Sequence, residues 1–231
     1  MDGTLESYQV ILDVFRAWQG HDDLQRVMDH VPDLDVFIAG GVVRDVILGR
    51  RVKPKDFDFF LAGPSVGQAV AMLGESGGMS AGPFGSPRWF PKGESGVYCD
   101  LIPITRFRNG LWDCADITDV LNQFDFTGNA VAFDLREGRF FDPQNGRRDI
   151  GLKVMRALRF DYPDEPIIPG HPLSRPVVLW FRILHYARVL GWTIEPITRS
   201  WLADRRDYIA KRGTFASVFF EPHPDAFGPV G

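Results

Sequence analysis

Cysteine is scarce. Cys99 and Cys114 are the two in 231 residues, too few to staple a chain of this size, and no Cys/His spacing of the zinc-binding kind surrounds them. They read as reduced, mostly buried thiols. Long apolar runs are missing too: no stretch approaches the roughly eighteen uninterrupted apolar residues of a membrane span. The opening Met1-Asp2-Gly3-Thr4-Leu5-Glu6 has neither the basic region nor the apolar core of a signal peptide. The expectation is a soluble cytoplasmic protein with no membrane partner. Nor is there an excess of positive charge. Against 30 Asp and Glu stand 26 Lys and Arg, a net charge of −4, which argues against coating nucleic acid through bulk charge and confines any such contact to local patches.

What is present fits a globular chain. With 45% hydrophobic and 24% charged residues, 24 Gly and 17 Pro, it can bury a core and is neither a disordered tail nor a fibre. The expected architecture is α/β (α+β): a head over residues 1–160, and a helical neck-like region with an irregular tail over 161–231. Residues 5–18 place Leu5, Val10, Ile11, Val14, Phe15 and Trp18 on one helical face, and Leu24, Val27, Met28 and Val31 begin a second helix. Asp35-Val36-Phe37-Ile38-Ala39 reads as a buried strand, closed by Gly40-Gly41 and followed by helical spacing from Val42 to Leu48.

A basic turn, Arg50 to Lys55, leads to Asp56-Phe57-Asp58-Phe59, whose polar/apolar alternation makes a strand with both aspartates on one face. Pro64 to Leu73 suits a helix. Gly74 to Gly96, rich in Gly, Ser and Pro, reads as a mobile loop whose Arg88, Trp89 and Lys92 are placed to close over a substrate. Val97 to Ile102 is a third strand, Ala115 to Phe124 a helix, and Ala130–Leu135 with Arg139–Phe141 a strand pair. Helices are expected over 147–160, 177–190 and about 197–212, with a Pro-rich stretch from Pro163 to Pro176 between them.

Two carboxylates two residues apart on a strand can face divalent metal ions side by side, and hard oxygen ligands suit Mg²⁺, which shares a substrate's phosphates. Asp100, on the next strand, is placed to join Asp56 and Asp58, either helping to deprotonate an attacking hydroxyl or completing a metal's coordination. Gly40-Gly41 before a helix lets phosphate approach free backbone N–H groups, with Arg44 a forked donor one turn on. Each piece alone is commonplace, since Asp-x-Asp is more often surface alternation and Gly-Gly usually only a turn. Their order makes one geometric proposal.

Phe37-Ile38-Ala39-Gly40-Gly41-Val42-Val43-Arg44-Asp45 through Asp56-Phe57-Asp58 resembles the head of class II tRNA nucleotidyltransferases (CCA-adding enzymes) and bacterial poly(A) polymerases, members of the DNA polymerase β superfamily. Asp125 to Leu135 is similar to that family's second motif, Phe141 to Ile150 to the segment after it, Met155-Arg156 to its hinge, and Phe181 to Trp192 to its first neck helix. The resemblance covers about residues 35–195. It implies a mixed sheet of about five strands, Asp56 and Asp58 on Mg²⁺ with Asp100 as a less secure third carboxylate, Gly41 and Arg44 at the triphosphate, Asp125 and Asn129 near the sugar, and Arg182 beside the nucleotide; with the residue reading, Gly40, Gly41 and Arg44 are expected to hold the triphosphate. It further implies transfer of NMP from an NTP to a hydroxyl, foremost the 3′ end of tRNA or another RNA, with release of pyrophosphate.

The departures have consequences. Gln123-Phe124 stand where the family's second motif opens with Arg-Arg. The family's base-reading Glu-Asp-x-x-Arg falls on Arg175-Pro176-Val177-Val178-Leu179, which cannot make the same edge pairing, so relaxed or different nucleotide choice is expected unless the inserted Tyr162–Ser174 replaces those groups. The sequence stops shortly after the neck, and the family's helical body is expected to be absent or much reduced. Two rival readings follow: nucleotidyl transfer to a protein or small-molecule acceptor, and a non-catalytic nucleotide- or RNA-binding homologue. Arg147, Arg148, Lys153, Arg156 and Arg159, or Arg199, Arg205, Arg206, Lys211 and Arg212, form basic faces that either track a phosphate backbone or are simply solvated. His185, standing where the family has Arg, is a pH-sensitive donor or a packed side chain. Trp180, Trp192 and Trp201 are expected in the neck core, and Asp45 on neighbouring backbone.

Overall fold

The computed structural model describes residues 3–50, 56–82, 85–93, 96–107, 111–167 and 170–228, so most of the basic turn before Asp56 lies outside the described residues. Two helices, α1 (Gly3–Arg16) and α2 (His21–His30), precede strand β1 (Asp35–Ala39), helix α3 (Gly41–Ile47), strand β2 (Asp56–Ala62) and helix α4 (Val66–Ser76). Strands β3 (Gly77–Ala81), β4 (Pro87–Pro91) and β5 (Tyr98–Pro103) follow, then helix α5 (Ile117–Leu121), strands β6 (Ala132–Asp134) and β7 (Arg139–Phe141), and helix α6 (Gly146–Leu152). The rest comprises strand β8 (Val154–Met155), helix α7 (Arg175–Leu190), strand β9 (Thr193–Ile194), and helices α8 (Pro196–Ala203) and α9 (Arg212–Val218).

Among the described residues the main sheet has seven strands in the order β3-β4-β5-β2-β1-β6-β7, two more than expected. The extra pair is the hairpin β3–β4, formed by the segment read as a mobile loop. Trp89 explains why: it alternates with Arg88 and Phe90, is fully buried, and meets Trp18 edge-on at 5.8 Å. Glycine and proline obscured this alternation in the sequence. The helix expected over 147–160 also ends early. Lys153 takes a left-handed conformation (φ 54°), and Val154–Met155 then pair in parallel with Thr193–Ile194.

β1 is buried on both faces, as its apolar run requires. Val36 and Ile38 join the larger core cluster with Phe57, Phe59 and Leu61 of β2 and Leu101 of β5, under the side chains of α1, α2 and α4. Phe37, Ala39 and Phe60 point the other way, against Ile117, Val120 and Leu121 of α5. Asp56 and Asp58 share that second face with Phe60, by the strand's period of two, and are exposed.

The larger cluster continues past residue 160: Phe181, Ile183 and Trp192 are buried in it together with Phe126. Trp180, Trp192 and Trp201 are core residues, 4%, 5% and 7% exposed. Residues 224–227, in the tail expected to be irregular, form a 3₁₀ turn that places Phe227 in a stack on Trp180, with ring centroids 5.9 Å apart.

α6 packs closely under the loop that precedes β6. A Cβ on Gly146 would lie 2.1 Å from the Thr127 carbonyl oxygen and 2.8 Å from Val131, whereas one on Gly151 would meet nothing within 4 Å. Gly146→Ala is therefore expected to cost about 1–3 kcal/mol through overpacking, and Gly151→Ala to gain about 0.5–1 kcal/mol from helix propensity, both measured by urea unfolding.

Candidate active site

The site is assembled by sheet register. Antiparallel pairing sets Ala39 of β1 opposite Asp58, and parallel pairing sets Asp58 opposite Asp100 of β5. Gly40, immediately after β1, therefore turns beside the Asp58 carboxylate. Its φ of +82° suits glycine, and a Cβ there would lie 3.4 Å from Asp58 Oδ2. The Gly-Gly bend and the acidic pair thus meet, as their spacing implied.

Arg44, in the first turns of α3, is buried, and its Nη1 donates to Asn129 Oδ1 at 2.7 Å. Asn129 Nδ2 donates to Asp125 at 3.2 Å, and Arg182 Nε of α7 donates to Asp125 Oδ2 at 2.7 Å. Tyr186 adjoins both guanidinium groups, its ring centroid 5.5 Å from Arg44 and 5.3 Å from Arg182. Four residues from three separate stretches of the sequence form one hydrogen-bonded chain. Asp45 completes it, accepting from Arg44 Nε at 3.0 Å, so its partner is a side chain and not the backbone expected.

A second layer supports the 125–129 loop. Thr127 Oγ1 donates to Asp149 Oδ2 at 2.6 Å, Arg156 Nε reaches the same oxygen at 2.8 Å, and Arg156 Nη2 donates to the Gln144 carbonyl at 2.7 Å. Arg156 is thereby committed to the loop, and Arg159 forms a forked ion pair with Asp161 at 2.6 Å. Gln123 and Phe124 face inward. Gln123 is fully buried with Nε2 on the Trp112 carbonyl, and the Phe124 ring lies 5.8 Å from Phe60. The Tyr162 hydroxyl sits 3.0 and 2.5 Å from their two carbonyl oxygens, which ties the inserted segment to this corner.

The electrostatics are polarised. Desolvation, followed by the charges of Asp100 and Asp56, raises the Asp58 pKa to about 7, although its side chain keeps an open face. Arg182 shows the converse: burial opposes its charge, but Asp125, Tyr186 and Asp58 hold its pKa above the ordinary value. A pair of carboxylates that repel each other beside an open bend fits a hard divalent cation, which would relieve that repulsion. Asp56 and Asp58 are the residues that would hold it.

Asp100 lies opposite Asp58, as expected, but it has a partner that was not expected. Both its oxygens are taken by Arg88 of β4, Nε to Oδ1 at 2.7 Å and Nη2 to Oδ2 at 2.9 Å. Sequence reasoning put Arg88 in a loop and gave it no fixed partner. The signal available was the Arg88-Trp89-Phe90 alternation.

No family model matches the chain. A multifunctional CCA protein of Xanthomonas oryzae is 27% identical over 199 residues, covering 74% of this chain and 40% of that protein. That of Hahella chejuensis is 27% identical over 184 residues, covering 73% and 38%. The chain thus spans about two fifths of the length of these relatives. Among solved structures, a Thermotoga maritima CCA-adding enzyme complexed with tRNA matches 94% of this chain and 49% of its own, with a TM-score of 0.65 at 23% identity. A CCA-adding enzyme in complex with ATP matches 90% and 46%, with a TM-score of 0.63 at 24% identity. The fold is that of the CCA-adding enzymes.

The start of α7, onto which the resemblance places the base-reading motif, is apolar in this chain. Pro176, Val177 and Leu179 are buried, with Leu179 3% exposed, and offer no hydrogen-bonding edge to a base. His185, one turn beyond Arg182, is packed 4.3 Å from the Phe220 ring, and its Nδ1 accepts from the His223 backbone N–H at 3.0 Å. Burial lowers its pKa, as do His223 and Arg182, which favours the neutral acceptor seen here.

Because the folded-state pKa of Asp58 is raised, its ionisation destabilises the native state increasingly as pH rises from about 4 through about 7. Asp58→Asn is expected to match the wild-type Tm near the lower limit and to exceed it by a few degrees above the upper one. Added Mg²⁺ should raise the wild-type Tm and narrow the gap. Thermal scans across this pH range, with and without Mg²⁺, check both.

Proposed function

We propose that the chain is a Mg²⁺-dependent nucleotidyltransferase that moves NMP from an NTP to a hydroxyl, foremost the 3′ end of tRNA or another RNA, releasing pyrophosphate. The observation that carries this reading is the convergence of Asp56 and Asp58 with the Gly40–Gly41 bend and the Arg44–Asn129–Asp125–Arg182 chain. The chain's likeness to multifunctional CCA proteins, and in fold to a tRNA nucleotidyltransferase complexed with a primer tRNA and an incoming ATP analog, supports it.

Each group has work to do. The acceptor oxygen forms a bond to the α-phosphorus, the bridge from that phosphorus to the β-phosphate breaks, pyrophosphate leaves, and the hydroxyl proton passes to solvent. Negative charge builds on the α-phosphate oxygens, so the reaction needs fixed positive charge and little covalent chemistry from the protein. Mg²⁺ on Asp56 and Asp58 would neutralise part of that charge. Gly40 and Gly41 leave room for the triphosphate to approach backbone N–H groups. Arg44, buried and held by Asn129 and Asp45, presents its charge without having to be ordered at the moment of reaction. Asp125 and Asn129 offer acceptor and donor groups to a sugar, and Arg182 lies beside them for the nucleotide.

Nucleotide choice follows from the neck helix. A site that reads a base by hydrogen bonds discriminates strongly, whereas an apolar wall discriminates by about 10–200-fold at most. With Pro176, Val177 and Leu179 buried, kcat/KM for ATP, CTP, GTP and UTP is expected to differ by less than about two hundredfold.

The test is incubation with each α-labelled NTP and separate pools of tRNA, other RNA and protein. Label in RNA with pyrophosphate release is the expected result. Label in protein alone would transfer the reading to a protein acceptor, and Mg²⁺-dependent ATP binding without turnover would show a binding module. Asp56→Ala or Asp58→Ala, each folded by circular dichroism, should reduce turnover by about a thousandfold, equivalent to about 4 kcal/mol of lost transition-state stabilisation.

A further inference from the structure

Asp100 is the third acidic group at the site, but its geometry is that of an anchor. Both carboxylate oxygens are occupied by the Arg88 fork, and the two side chains are only 21% and 22% exposed. The guanidinium is fixed on a second side, with its carbon 4.1 Å from the centroid of the Tyr98 ring. The Tyr98 hydroxyl in turn lies 3.3 Å from Asp56 Oδ2. Arg88, Asp100, Tyr98 and Asp56 are thus one connected patch, and the Arg88 charge acts on both Asp56 and Asp58.

The strand beneath is firmly seated. Arg88 and Asp100 are register partners across β4 and β5, as are their neighbours Trp89 and Cys99, both completely buried. Behind the pair, a Cβ on Gly82 would come within 3.3 Å of Asp100 Oδ1. Releasing Asp100 to bind a metal ion would break a forked, charge-assisted pair and strip the guanidinium from its aromatic face. Among the described residues, no group of three or more acidic, His or Cys side chains is arranged to hold a metal ion.

Position indicates what Arg88 does. β2 lies between β1, which delivers the Gly40 bend, and β5, which delivers Asp100. The Gly40 bend is therefore on one side of the Asp56/Asp58 pair and the Arg88 guanidinium on the other, so that a triphosphate held at the bend would leave the Arg88 side for the incoming hydroxyl. A guanidinium never loses its charge at physiological pH and needs no ligand exchange.

Building on the nucleotidyltransferase reading, we propose that this site works with a single divalent cation, on Asp56 and Asp58, and that Arg88, clamped by Asp100 and Tyr98, supplies the second positive charge on the acceptor side. Asp100 is then a positioning residue for Arg88 and neither a metal ligand nor a base. The acceptor oxygen develops its bond to phosphorus next to a fixed cation, and its proton goes to solvent.

The experiment counts Mn²⁺ by electron paramagnetic resonance on the full chain saturated with a non-hydrolysable α,β-methylene NTP analogue. One Mn²⁺ per chain is expected for the wild type; two would overturn the inference while leaving the nucleotidyltransferase reading intact. None would overturn both. In the charge-neutral double variant Arg88→Gln/Asp100→Asn, the count should stay at one with affinity within threefold of wild type, whereas a tenfold loss would identify Asp100 as a ligand. With the acceptor found above, kcat of that variant should fall at least tenfold with the nucleotide KM within twofold, and an unchanged kcat would sink the role given to Arg88.

Discussion

Everything in the candidate site depends on the position of β2 in the sheet. An antiparallel neighbour on one side and a parallel neighbour on the other set Ala39, Asp58 and Asp100 in one transverse row. Because side chains alternate along a strand, a slip of one residue would send both aspartates into the core and Phe57 and Phe59 into solvent. Those two rings stack at 5.2 Å and are closed in by Phe15 and Trp18. Aromatic packing on one face therefore fixes acidic geometry on the other.

Much of this was legible in the sequence because it rests on short-range pattern. The alternation Asp56-Phe57-Asp58-Phe59 declares both a strand and a polar face, and Gly40-Gly41 marks a bend that few other residues could make. The link from Arg44 through Asn129 and Asp125 to Arg182 spans long stretches of chain. Resemblance to a family's motifs placed its members one by one, but the bonds between them come from the fold, and no local pattern in those segments announces them.

What escaped had physical reasons. The β3–β4 hairpin carries enough Gly, Ser and Pro to read as a loop, and its stability comes from Trp89 entering a core built by remote residues. Arg88 gained its place from that hairpin, so no reading of the loop as mobile could pair it with Asp100. Helix propensity over 147–160 was overridden when Lys153 adopted a left-handed turn and Val154–Met155 found a partner in β9. Gln123 and Phe124 looked like lost cationic contacts, yet they pack inward, one into hydrogen bonds and one into an aromatic cluster.

The Asp125–Arg182 bond also determines where the chain can be cut. Phe126 lies under Tyr186 and Trp192 at centroid separations of 5.6 and 6.4 Å. A protein shortened to its first 160 residues would leave that ring facing water, and Asp125 would lose its cation. The segment from α7 onward thus supplies Arg182 and Tyr186 to the candidate site, and dissecting this protein by truncation would remove them from it.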